Sequence, residues 1–521
     1  MPAQHPPLPA ALPAQGSFIQ YIAAKPNSHY LLAAVLTGII GWWVFKQFYP
    51  YPNLIFDSYY YISSAVSKAS VGPWPMGYSW FIRFIGVFSH NPNFLLAVQF
   101  ILLQLSFLWF FFTVRYLFQP GKYPSLLLFL FLQLNPIYIY TSNLILSDTL
   151  FTALSICWFT QLIWLIFRPR PYMLLTHTLL LLAVFSIRYN ALYYPLIGAV
   201  AFLLSRQKRW FIITGIALPV LLVIGFIQYT THTMQKKFGV KQFSPFGSWK
   251  VASNALYVYE HIYSNTDSNA IPQRFQPLDK RVRAYFNGPH YKADILVNDP
   301  TWGSFYMWLH PSPLIQHMFS IYGPDKMNLN FVKFAPMGPL YGDYGAYIIK
   351  KHPLAFARYF VAPNVLRYIN PPQEVLVDDV NPFSLRRDYL GQPAIQWFHL
   401  KTIRVPTARI AFRTQLFYIY PAFCTFLHYL FVLSAIGFIL LKGYRHVPAA
   451  ARHGVWVAMA LWLVDFGFSL TAAAVVLRYQ LFIMAIEFSF AALFIEWLYQ
   501  LSTQQNKQSP AVSAFTNPFT S

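Results

Sequence analysis

Only five of the sixteen acidic residues lie outside the stretch 229–414: Asp57, Asp148, Asp465, Glu487 and Glu496. An ionised carboxylate at membrane depth is costly and usually marks a cavity or a partner, so each of the five needs a reason. Glu496 falls near the inner end of the last apolar run, within reach of water. Asp465 and Glu487 fall inside the last two apolar runs, where Arg478 or buried hydroxyls would satisfy them. Asp57 and Asp148 are expected at the outer water boundary on different elements, where they can converge; each would also suit a helix N-cap. The segment DSYYYISSAVSKA (57–69) reads as a short amphipathic helix whose tyrosines suit the head-group level, and PWPMGYSWFIRFIGVFSH (73–90) as a second one, started by Pro and broken by Gly77. A Pro-rich turn between two such helices leaves an indentation at lipid-phosphate depth, where a lipid-linked substrate would present its reactive atom.

The surrounding chain supplies the elements that would hold these residues. Hydrophobic residues make up 56% of the 521 positions and charged residues 10%, with span-length apolar runs on both sides of a polar middle. This is the pattern of an integral membrane protein, because a lipid-exposed backbone must satisfy its own hydrogen bonds within helices. About ten spans are expected, near 30–48, 94–114, 124–140, 143–167, 172–187, 190–205, 210–228, 415–441, 455–475 and 479–499. Lys and Arg are retained in cytoplasmic loops. Arg115 and Lys122, Arg168 and Arg170, Arg206, Lys208 and Arg209, and Lys442, Arg445 and Arg452 all fall on alternate turns. Those turns and both termini are therefore assigned to the cytoplasm, and the loops with Asp57, Asp148, Arg188 and Arg478 to the outside. The first stretch, MPAQHPPLPAALPAQG, lacks the basic start and short apolar core of a signal peptide, so the first span is expected to act as an uncleaved anchor.

The fold class expected is an all-α polytopic membrane protein with a mainly helical extracytoplasmic domain inserted between spans seven and eight. Residues 1–228 form a membrane core of seven spans with a first outer loop at 49–93, residues 229–414 the outer domain, and residues 415–521 three spans and a tail. The outer domain is rich in Tyr, Trp, Phe and Pro and carries roughly twice as many basic as acidic residues. It should fold rather than dangle, and its basic face would either attract phosphate head groups or merely be solvated. Helices are expected over 246–263 and 342–369. Cys157 and Cys424 both lie inside expected spans, which excludes a disulfide framework for the outer domain. His290, His310, His317 and His352 show no short metal-ligand spacing and read as surface or packing residues.

Several of these segments together resemble the GT-C superfamily of multi-pass glycosyltransferases, in the branch of the bacterial aminoarabinose transferase and the protein O-mannosyltransferases. The resemblance rests on Asp57 just outside the first span, PWPMGYSWF (73–81), LILSDTLFTAL (144–154), SIRYNALYYPL (186–196) and LRYQLFIMAIEFSF (477–490). It covers the membrane part, about half of the chain. Where many relatives carry a second acid after the loop Asp, this chain has Ser58, and the usual Pro-Pro-Gly is Pro75, Met76, Gly77. The large outer domain also falls between spans seven and eight rather than at the C-terminus.

The resemblance implies transfer of a sugar from a polyprenyl-phosphate donor to an acceptor hydroxyl on the extracytoplasmic face of a bacterial inner membrane. Such a reaction needs a base for the hydroxyl proton and positive groups for the departing phosphate. Asp57 is then the base, and Asp148 orients the acceptor or a cation. Arg188 with Tyr189, Arg478 with Tyr479, and Arg83 become phosphate or substrate ligands, since the guanidinium fork pairs with phosphate oxygens. One carboxylate without a covalent intermediate implies inversion at the anomeric carbon. No cofactor is required by the residues, and the resemblance leaves a divalent metal open. The acceptor is a lipid, a glycan or a protein; no nucleic-acid partner is expected. Two other functions compete: a polysaccharide polymerase or ligase of the outer face, and a transporter or flippase of lipid-linked sugars, which Asp465 and Glu487 would favour but which the absence of matching halves does not.

Overall fold

The computed structural model describes residues 17–50, 52–265, 270–288, 305–324, 330–373, 391–400 and 418–508. Over these residues the protein is helical, with a single isolated β-bridge. A short helix α1 (Phe18–Ala23) precedes α2 (Asn27–Phe48), and the first loop then carries α3 (Phe56–Val66) and α4 (Gly77–Gly86). The next helices are α5 (Pro92–Leu117), α6 (Lys122–Leu134), α7 (Pro136–Thr141), α8 (Ser147–Phe167), α9 (Tyr172–Ile187), α10 (Tyr194–Leu204) and α11 (Arg209–Phe238). The polar middle contains α12 (Pro245–Tyr259), α13 (Gln276–Asn287), α14 (Pro313–Tyr322), α15 (Phe331–Lys351), α16 (Ala362–Ile369) and α17 (Gly391–Trp397). The chain closes with α18 (Tyr420–Leu440), α19 (Ala449–Ala472) and α20 (Leu481–Gln508).

Among the described residues, eight helices are long and apolar enough to cross a membrane: α2, α5, α6 continued through α7, α8, α11, α18, α19 and α20. The spans expected at 172–187 and 190–205 correspond to shorter apolar helices, Tyr172–Ile187 and Tyr189–Leu204. Sixteen residues rise only about 24 Å, short of the ~30 Å hydrocarbon core. The break between these two helices holds Arg188, which takes an extended backbone (φ −149°) before a 3-10 turn at Tyr189–Tyr193. Helices α8 and α20 are mostly buried at the centre of the bundle, while α2 has almost no fully buried positions, as a lipid-facing helix would. Where backbone donors are freed between α6 and α7, the Asn135 side chain and the Tyr420 hydroxyl both accept from Ile137 N–H. At the opposite end, the Glu496 carboxylate accepts from Gly121 N–H at 2.7 Å, at the start of α6.

The two loop helices form where the sequence places them, but their surroundings differ from expectation. Tyr59, Tyr60 and Tyr61 of α3 are buried, so they pack inside the protein instead of lying among head groups. The covering comes from the polar middle of the chain: α17 packs on α3, and Trp308 stacks on Trp74 at 6.1 Å. In that stretch α12 and α15 run against each other so closely that a Cβ on Gly345 would come within 2.7 Å of the backbone at Val251 and Ala252. Trp249 stacks on Phe334 at 4.2 Å and donates to its carbonyl. The helix expected over 342–369 is interrupted at His352, where Pro353 removes a backbone donor.

Candidate functional site

Asp57 and Asp148 are brought together by the backbone before either side chain is considered. Asn53 N–H donates to the Asn143 carbonyl at 2.8 Å and Ile145 N–H donates back to Asn53 at 3.1 Å, so the strand-like residues before α3 and α8 are paired in parallel. Buried Gln99 of α5 reinforces this junction: its amide donates to the carbonyls of Ser142 and Leu144, and its oxygen accepts from Tyr78 of α4. Tyr61 of α3 donates to Ser147 of α8 at 3.1 Å. Each acid is the second residue of its helix, and neither side chain caps it. Their carboxylates still sit at the positive ends of two helix dipoles, which attract negative charge.

Gly77 fixes the third side of the junction. Its Cα lies so close to the end of α9 that a Cβ would fall within 2.6 Å of the Ser186 backbone, two residues from Arg188. Only a glycine lets α4 approach there without displacing that turn.

Around this frame the charges interlock. Arg188 Nη1 donates to Asp148 Oδ1. Arg478, carried on the 3-10 turn Leu477–Tyr479 between α19 and α20, places Nη1 3.5 Å from Asp57 Oδ2 and 3.6 Å from Asp148 Oδ2. The Tyr479 ring lies between the two guanidinium groups, 4.8 Å from Arg188 Cζ and 4.9 Å from Arg478 Cζ, an arrangement that cation–π attraction favours. Side-chain exposure separates the acids: 22% for Asp57 against 3% for Asp148, with the arginines at 12% and 13%.

These groups open on a cavity of about 740 Å³ at the junction of the apolar helices and the polar middle of the chain. Asp57, Arg188, Tyr189, Arg478 and Tyr479 line it; Asp148 stands behind the arginines. Asp148 therefore faces the two guanidinium groups and not the cavity. Arg83 is not among the lining residues. The buried face of α4 is Gly77, Tyr78, Ser79, Ile82 and Ile85, and Arg83 projects about 100° away from Ile82 around the helix.

Two lining residues were not singled out as site residues in the sequence. Lys250 of α12 is a buried third cation on the wall, its only sequence signal being a lysine set among apolar positions after Trp249. Asp465 of α19 also lines the cavity, accepting hydrogen bonds from Tyr193 at 2.7 Å and Tyr368 at 2.8 Å. It pairs with buried hydroxyls and not with Arg478. Glu487 is held elsewhere, its Oε1 meeting His428 Nδ1 at 2.6 Å and accepting from the Trp462 indole. Of the four histidines considered as metal ligands, His317 is buried in α14, His310 is exposed beside Gln316, His352 ends α15, and His290 lies outside the described residues.

Among the described residues no group of three or more His, Cys, Asp or Glu could hold a metal ion. At the two-acid junction, Asp148 directs one oxygen at each of two guanidinium groups and Asp57 faces one of them, so this donor set fits arginine cations and not a dication. Comparison of the chain with known protein families, curated proteins and solved structures finds no match.

Proposed function

We propose that this protein is a membrane glycosyltransferase of the GT-C kind, moving a sugar from a polyprenyl-phosphate donor to an acceptor hydroxyl at the extracytoplasmic face of a bacterial inner membrane. The reading takes the short helices at 172–187 and 189–204 as further spans, making ten, with both termini cytoplasmic. The observation that carries it is Arg478 bridging the more exposed Asp57 and the buried Asp148, with Arg188 beside them, on the wall of a cavity large enough for a lipid-linked sugar.

In this mechanism Asp57 takes the proton from the acceptor hydroxyl. The freed oxygen attacks the anomeric carbon, the bond from that carbon to the phosphate oxygen breaks, and polyprenyl phosphate departs with the electron pair. Arg478 and Arg188 stabilise the growing phosphate charge through paired N–H donors. Asp148, closed off from the cavity, holds both guanidinium groups in place beforehand, so little reorganisation accompanies the reaction. A single exposed carboxylate at the reacting end favours inversion. Asp465 and Glu487 each hold neutral or histidine donors rather than each other, an arrangement less suited to the ion relay of a transporter.

The test is turnover by the purified protein in nanodiscs, given a polyprenyl-phosphate hexose and an envelope extract of the host as acceptor. Release of polyprenyl phosphate with transfer of the hexose to extract material supports the reading; an intact donor after prolonged incubation with folded protein overturns it.

A further inference from the structure

We propose that Asp465 forms a second pole of the cavity, one that binds the hydroxyls of the transferred sugar and so sets which donor is accepted. The inference rests on the glycosyl-transfer reading and extends it from the phosphate end to the sugar end. Asp465 sits on α19 with the cavity on one side and a tyrosine hydroxyl on each oxygen: Tyr193 on Oδ1 and Tyr368 on Oδ2. A carboxylate oxygen has two lone-pair directions, so one on each oxygen remains for a further donor. Two hydroxyls on neighbouring ring carbons match that pair of acceptors. The tyrosines come from separate elements, Tyr193 from the 3-10 turn after Arg188 and Tyr368 from α16, and together they fix the carboxylate plane. Phe468 and Phe482 line the same cavity and offer apolar flanks for the carbon face of a sugar ring.

Electrostatics assigns the two poles. A phosphate is drawn to Arg188 and Arg478 and repelled by Asp465, whereas sugar hydroxyls gain most from an ionised acceptor, whose hydrogen bonds are about twice as strong as neutral ones. The donor would therefore lie with its phosphate at the arginines and its sugar toward α19. A purely structural role explains Asp465 less well, because a carboxylate in a helix of this kind is costly and two tyrosines could be held by a neutral acceptor.

The experiment is equilibrium binding to the full-length protein in nanodiscs, using polyprenyl phosphate and polyprenyl-phosphate hexose as paired probes. Wild type should bind the sugar-bearing probe more tightly than the bare lipid phosphate. Asp465→Asn should lose that preference, with affinity for the hexose probe falling about tenfold, while bare polyprenyl phosphate binds as before. Tyr193→Phe, which frees one carboxylate oxygen without removing the charge, should lose part of the preference. The inference is overturned if Asp465→Asn keeps the wild-type preference, if it loses both probes equally as a structural role requires, or if wild type shows no preference. Wild type that binds neither probe contradicts the glycosyl-transfer reading itself, a result distinct from a failure of Asp465 alone.

Discussion

Asp57 and Asp148 face the same guanidinium group, yet their surroundings ask different things of them. Asp148 is closed off and holds two arginines; removing it leaves Arg188 without its carboxylate partner and Asp57 as the one acid facing Arg478. Loss of one partner from a buried ion pair costs about 3–5 kcal/mol, so Asp148→Ala should lower the melting temperature of the solubilised protein sharply as well as abolish turnover. A melting curve unchanged by that substitution would contradict the positioning role. Arg478→Lys keeps the charge but replaces a fork by a point; it is expected to cut turnover by about tenfold to a hundredfold while the protein melts near wild type, measured as sugar transfer alongside thermal unfolding. At this scale the sequence is a fair guide to Asp57, Arg188 and Arg478, because scarce charges at the ends of apolar runs stand out. It offers buried hydroxyls as partners of Asp465 but not which ones, since Tyr368 and Tyr193 are 97 and 272 positions away, and Lys250 is one of many lysines in a basic stretch.

The elements act by fixing backbone, and their contribution is testable apart from the charges. Gly77→Ala should push α4 off the Ser186 carbonyl and shift the turn carrying Arg188; transfer is expected to fall further than donor binding, because the cavity stays while its geometry changes. Equal loss of both would place the effect on overall folding. In the outer domain, burial first and then the Arg281 guanidinium push the His317 imidazole down to about 4, below its ordinary value near 6.5. The unfolded chain then takes up a proton that the folded chain refuses. Stability from this group is complete above about pH 6.5 and falls as pH drops toward 4. Melting temperature measured across this window should decline less steeply in His317→Gln than in wild type; parallel curves would contradict it. Most helix positions were legible from apolar runs, as were α3 and α4. The break at His352 and the burial of the α3 tyrosines were not. The break follows from Pro353, which apolar periodicity overlooks, and the burial depends on packing against the polar middle of the chain, which periodicity within one segment does not report.

For the molecule as a whole, membrane helices and outer domain meet at one cavity, and its acid-and-arginine wall comes from three separated stretches of chain, near Asp57, near Arg188 and near Arg478. That arrangement requires all three on the same side of the bilayer. In a cysteine-free background, Lys350→Cys on exposed α15 should react with an impermeant maleimide added to intact cells, whereas Lys122→Cys should react only after permeabilisation; the reverse pattern would invert the topology. The most direct measurement of the central claim is a comparison of wild type and Asp57→Asn in nanodiscs, each assayed for binding of polyprenyl-phosphate hexose and for its conversion to polyprenyl phosphate. The account predicts that Asp57→Asn binds the donor within about threefold of wild type and turns it over at least about a hundredfold more slowly. Conversion by Asp57→Asn at the wild-type rate would contradict it.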